Sequence, residues 1–72
     1  MKTKSEVTGI EYLDADCVFF RNIEQSVFYL KNGVQLVDIF LDSKKMLVFV
    51  FYREEHQKTI KKWMDNKVIA AD

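Results

Sequence analysis

The sequence predicts an α+β domain, a small antiparallel sheet of three or four strands with two helices in the order (β)βαββα. Three observations carry this. A segment of helical period over 22–33 is capped at one end and stopped by glycine at the other. Two β-branched and aromatic runs then flank a polar turn at 42–45, and a charged amphipathic segment follows from 54. Seventy-two residues leave room for one such domain and no more.

The N-terminal region is the least patterned. Val7 to Leu13 either pairs with the next strand across Asp14-Ala15-Asp16 or forms an irregular arm, so 1–16 reads as an arm or edge strand. The domain proper spans 17–67, with a frayed tail over 68–72. Cys17-Val18-Phe19-Phe20-Arg21 has strand composition and runs into Asn22. Asn22 is a good N-cap because its side-chain oxygen can accept from the free N–H groups of a first helical turn. Gln25 sits three residues on, where it can reach back as in a capping box. Ile23, Val27 and Leu30 fall at i, i+4 and i+7, a single helical stripe. Gly33 can take the left-handed conformation that ends the helix, predicted over 23–32.

After Gly33 the period changes. Val34 to Leu41 and Met46 to Tyr52 are β-rich, and Asp42-Ser43-Lys44-Lys45 lies between them, so the unit reads as a β-hairpin. The lack of glycine in the turn favours a four-residue loop over a three-residue bulged one. That loop pairs Leu41 with Met46, Ile39 with Val48 and Val37 with Val50. The opposite face then carries Leu36, Phe40, Leu47, Phe49 and Phe51, with Asp38. Both faces are apolar. If two helices share one face the other stays bare, which makes Leu36, Phe40, Leu47, Phe49 and Phe51 the candidate interface. The face closes instead if the helices divide between the two sides or residues 1–16 fold over it.

The second helix is predicted over 54–67. Glu54 and Glu55 open it and Lys61, Lys62 and Lys67 follow, an order that suits the helix dipole. His56, Ile60, Trp63, Met64 and Lys67 share one face, while Glu55, Lys58, Lys62 and Asp65 look outward. Glu54 and Lys58 form an i,i+4 pair.

Phe19-Phe20-Arg21-Asn22, Ser26-Val27-Phe28-Tyr29-Leu30-Lys31-Asn32-Gly33, Leu36-Val37 and Val48-Phe49-Val50-Phe51 together resemble a family of short uncharacterised domains. That family occurs in Firmicutes, their phages and mobile elements, and the resemblance covers residues 17–67. Where the family has threonine or aspartate as the cap, this chain has Asn22. The family has no established activity, so the resemblance implies a phage or mobile-element origin and no mechanism.

Composition narrows the function classes. Eleven basic residues balance eleven acidic ones, with no long run of one sign, so no electrostatic footprint for nucleic acid stands out. A lone Cys17 offers neither a disulfide nor a ligand pair and fits a reducing compartment. The longest apolar run, Met46 to Tyr52, is far short of the roughly twenty residues of a membrane helix. The N-terminal lysines precede no apolar segment of the signal-peptide kind. A cytoplasmic protein without membrane contact is expected.

Chemistry finds little purchase. His56 has no second ligand at metal spacing, so neither metal nor cofactor is expected. Cys17 as a nucleophile needs His56 beside it and an orienting acid such as Asp38, and no spacing selects that trio. Gly9 and Gly33 stand apart and build no phosphate loop. The expectation is a protein that is not an enzyme and has no catalytic residues. Short domains bury only about 60% of their unfolded surface and often gain stability by self-association. The sequence therefore reads as a small interaction module, a homodimer docking on a protein partner it does not identify. The alternative is a nucleic-acid-binding regulator that uses the aromatic strand 46–52, with Lys44, Lys45, Lys58 and Lys62 on phosphates.

Overall fold

The computed structural model describes the backbone of residues 2–71 and the side chains of residues 2–65. The strands are β1 (Lys2–Lys4), β2 (Glu11–Leu13), β3 (Cys17–Phe20), β4 (Asp38–Leu41) and β5 (Leu47–Tyr52). The helices are α1 (Ile23–Lys31) and α2 (Arg53–Ala71), and Asp14–Asp16 makes one 3-10 turn. β5 is the middle of a three-stranded antiparallel sheet ordered β3-β5-β4, and β1 pairs only with β2. The α+β class and both helices follow the sequence pattern.

Local chemistry sets the limits of α1. Asn22 Oδ1 accepts from the Gln25 N–H at 3.1 Å. At the other end Gly33 N–H donates to the Leu30 carbonyl and Val34 N–H to that of Tyr29, both at 3.1 Å. This is a Schellman stop, with Gly33 at φ +81° and Val34 packed in the same cluster as Tyr29. The Gln25 side chain does not close a capping box; its amide donates to Tyr29 Oη instead, at 3.2 Å. Asn22→Ala is expected to cost about 1 kcal/mol. Gly33→Ala meets no atom within 4 Å, so its cost is backbone strain alone, about 1–2 kcal/mol. Thermal melts check both, and each lost kcal/mol should lower the midpoint by about 4–8 °C.

The stripe Ile23, Val27 and Leu30 faces outward, while Ser26 and Tyr29 are buried. Tyr29 decides the rotation of the helix. Its ring packs on Phe20 and Phe51 with centroids 5.4 and 5.5 Å away. Phe28 turns to α2, 5.4 Å from Trp63.

The hairpin register differs by one residue from the sequence reading. Leu41 pairs with Leu47, Phe40 with Val48 and Ile39 with Phe49. The loop has three residues, closed by Lys45 N–H to the Asp42 carbonyl and Asp42 N–H to that of Met46, each at 2.9 Å. Lys45 takes φ +62° without being glycine. Asp42 makes this tolerable, since its Oδ1 accepts from Lys44 N–H at 2.8 Å and from Met46 N–H at 3.0 Å. The same groups, Met46 N–H first and then Lys44 N–H and Arg21, hold the Asp42 pKa below the ordinary carboxylate value.

A second irregularity begins the strand. Val37 N–H donates to the Val50 carbonyl at 2.9 Å while Asp38 is the register partner of Val50. Two residues thus oppose one, a β-bulge that lets Val37 and Asp38 lie on the same side.

The two faces of the sheet have different covers. Val18, Phe20, Leu36, Ile39, Leu47, Phe49 and Phe51 lie beneath α1 and α2 around Tyr29 and Trp63. Cys17, Val37, Val50 and Tyr52 lie beneath Tyr12 and Ile10 of the N-terminal segment. Residues 2–13 are therefore neither an irregular arm nor a strand beside β3. They form a hairpin of their own that folds over the sheet.

α2 follows β5 without a break and runs past the predicted end at 67. Among the described residues of α2, Thr59 is the buried one, its hydroxyl donating to the Glu55 carbonyl at 2.9 Å, and Met64, expected on the core face, is exposed. Glu54 and Lys58 pair at 3.7 Å. The tail expected over 68–72 lies outside the residues whose side chains are described.

Candidate interaction surface

The N-terminal hairpin is fastened to the sheet through Asp38. Ser5 Oγ donates to Asp38 Oδ1 and Tyr12 Oη to Asp38 Oδ2, both at 2.6 Å. Asp38 Oδ1 also accepts from the Ile39 N–H at 2.8 Å. All three side chains are buried, so the carboxylate exchanges water for a closed set of donors. Burial first, then the hydrogen bond to Asp38 and its charge, push the Tyr12 pKa up. Thr8 adds a bond from its hydroxyl to the Val37 carbonyl at 2.6 Å. Within the hairpin, Ser5 Oγ accepts from Val7 and Thr8 N–H, and Gly9 closes the loop at φ +77°.

This fastening covers only half the face. Beyond Tyr12 a groove of about 600 Å³ opens between the hairpin and β4. Its hairpin wall includes Thr3, Lys4, Glu6 and Val7, and its sheet side is Phe19 with Ile39, Phe40 and Leu41. Phe19 and Phe40 meet edge to face, ring centroids 6.4 Å apart. They remain 39% and 38% exposed, and Leu41 and Val7 reach 61% and 65%. Among the described residues, β4 has a strand neighbour only on its β5 side. Its outer edge borders the groove, with the Ile39 N–H already taken by the Asp38 carboxylate.

Of the sequence-predicted interface, Phe40 alone belongs to this surface. Phe49 and Phe51 are buried, and Leu36 and Leu47 pack in the same cluster beneath the helices. The one-residue change of register places Phe40 opposite Val48, on the other face. Phe19 and Val7 also belong to this surface, and the sequence pattern does not single them out. Phe19 alternates with Phe20 along β3, and that alternation was the available signal for its facing away from the helices.

The remaining candidates are dispersed. Lys44 and Lys45 lie in the turn before β5, Lys58 and Lys62 on the helix after it, and Lys58 is drawn to Glu54. Cys17 faces the N-terminal hairpin while His56, on α2, packs against Phe20 on the other face, so the sheet lies between them. Asp38 is committed to Ser5 and Tyr12. Burial first, then Asp16 and Asp14, push the Cys17 thiol pKa up, with Arg53 opposing. No helix is long and apolar enough to cross a membrane among the described residues.

Fold and surface together define a small α+β domain whose sheet is roofed by helices on one side and half-roofed by a hairpin on the other. Compared with family models, curated proteins and solved structures, the chain matches none of them. The resemblance over 17–67 rests on the residues alone.

Proposed function

We propose that the protein is a non-catalytic interaction module that takes an extended segment of a partner protein into the groove. The observation behind this is an aromatic pair, Phe19 and Phe40, left half open beside an unpaired sheet edge. An extended segment can add hydrogen bonds along β4 and set alternate side chains on the exposed rings of Phe19 and Phe40. The groove volume of about 600 Å³ is that of ordinary ligand sites.

The homodimer expected from a wholly bare sheet face needs another surface, because the helices cover one face and the hairpin part of the other. The outward stripe of α1, with Ile23 55%, Val27 39% and Leu30 38% exposed, is where a second copy would pack. A phage or mobile-element accessory role follows from the resemblance, and a cytoplasmic setting from the lone thiol. Among the described residues, Lys44 and Lys45 lie in the β4–β5 turn and Lys58 and Lys62 on α2, two separate elements.

Selection of displayed random peptides on the immobilised protein tests the reading. Enriched sequences should alternate apolar residues, bind with little salt dependence, and be lost in Phe19→Ser and Phe40→Ser variants that stay folded. Enrichment that survives both substitutions, or none above bare support, would overturn it. Binding of single-stranded nucleic acid that weakens steeply with salt would favour the rival class.

A further inference from the structure

We infer that Gln25, Tyr29 and His56 form an acid-sensitive latch between the two helices, released when His56 gains a proton. Gln25 Nε2 donates to Tyr29 Oη at 3.2 Å, and Tyr29 Oη lies 2.9 Å from His56 Nδ1. With one donor already on its oxygen, Tyr29 directs its own O–H at Nδ1. That nitrogen is then the acceptor, and the imidazole is neutral with its proton on Nε2.

Protonation reverses the polarity of the chain. Nδ1–H would point at Tyr29 Oη, and the hydroxyl proton would need a new acceptor. Tyr29 is 0% exposed and ringed by Phe20 and Phe51, so Gln25 would have to turn its amide to supply one. The new charge would also sit 5.2 Å from the Phe20 ring centroid, edge to face.

The charged groups around it offer that charge no counter-ion. From α1 comes Tyr29, from β3 the apolar Phe20, and from α2 itself Arg53 of the same sign. The described residues hold no carboxylate in ion-pair contact with His56. Burial first, then Arg53, push the imidazole pKa below its ordinary value. Below about pH 6.5, the ordinary histidine value, the unfolded chain therefore binds more protons than the folded one. The stability this group contributes is complete above that pH and is lost as pH falls through the depressed folded value. α1 would then be held to α2 chiefly through Phe28 on Trp63.

The chain contains a single histidine and a single tryptophan, which makes the test direct. The His56 ring protons are titrated by NMR, and melting is followed by Trp63 fluorescence between about pH 7.5 and 5.5, the range in which histidine titrates. The midpoint of His56 should lie below about 6.5 and rise in Tyr29→Phe, which frees Nδ1 of the hydroxyl that favours the neutral ring. The parent should lose several degrees of melting temperature on acidification, and His56→Gln, which still accepts from Tyr29, should lose less. A His56 midpoint at or above the ordinary value overturns the latch, as does a midpoint unmoved in Tyr29→Phe. Equal acid loss in parent and His56→Gln also overturns it. The NMR arm decides the matter if His56→Gln fails to fold.

Discussion

Asp38→Ala should cost about 3 kcal/mol or more, because it leaves two buried hydroxyls, Ser5 and Tyr12, without their acceptor at about 1–3 kcal/mol each. The Ile39 N–H loses its partner too. Domains of this kind have total stabilities of about 5–15 kcal/mol, so the variant should melt far below the parent. The damage should also be directional. Those bonds tie the N-terminal hairpin to the sheet, and Cys17, only 2% exposed, lies beneath that hairpin. A thiol reagent should therefore modify Cys17 much faster in Asp38→Ala than in the parent, at temperatures where Trp63 fluorescence still reports a folded helix layer. Asp38→Asn keeps one acceptor oxygen and should fall between the two. A parent-like melt with a protected thiol would mean that Tyr12 and Ile10 hold the hairpin by apolar contact alone. The same variant should lose peptide capture, since the hairpin supplies one wall of the groove.

The parts of the fold legible in the sequence are those decided by neighbours in the chain. Asn22 and Gly33 bracket α1 because a cap and a left-handed stop need only the adjacent backbone. The hairpin between Val34 and Tyr52 is visible for the same reason. Its register is not, because Lys45 adopts a left-handed conformation that residue type disfavours and the Asp42 side chain supports. The bulge at Val37 and Asp38 compounds this by putting two successive residues on one face.

The N-terminal hairpin had a weak local signal. Thr8-Gly9 separates two short extended stretches, but β1 and β2 have three residues each, too few to show alternation. What fixes the hairpin in place is distant. Ser5 lies 33 residues from Asp38 and Tyr12 lies 26 from it. A single aspartate in an apolar strand hints at a buried partner without saying which one. The groove follows from that contact, so it was no more legible than the contact itself. The stripe on α1 shows a different failure. Helical period reveals that Ile23, Val27 and Leu30 share a side, but the packing of Tyr29 decides which side turns inward.

Phe40 and Phe51 looked alike in the sequence, and their alanine variants should behave in opposite ways. Phe51 is 0% exposed in the central strand, with its ring against Phe20 and Tyr29 at 5.8 and 5.5 Å. Deleting it opens a cavity against Phe20 and Tyr29 beneath the helices, so Phe51→Ala should cost about 3–5 kcal/mol. That is a large share of the domain's total stability and should lower its melting point far below that of the parent. Phe40 gives up only its edge-to-face contact with Phe19 and part of a half-open side chain, about 1 kcal/mol. Phe40→Ala should lower the melting midpoint by only about 4–8 °C and leave the domain folded, while losing the groove's partner. Urea melts of both variants, with light scattering at each protein concentration, separate packing from association. If Phe51→Ala stays folded and only fails to self-associate, Phe51 lies at a surface and the helices cover the other face. If Phe51→Ala unfolds while Phe40→Ala does not, the helix layer sits on Phe51, and binding belongs to the face that the N-terminal hairpin half covers.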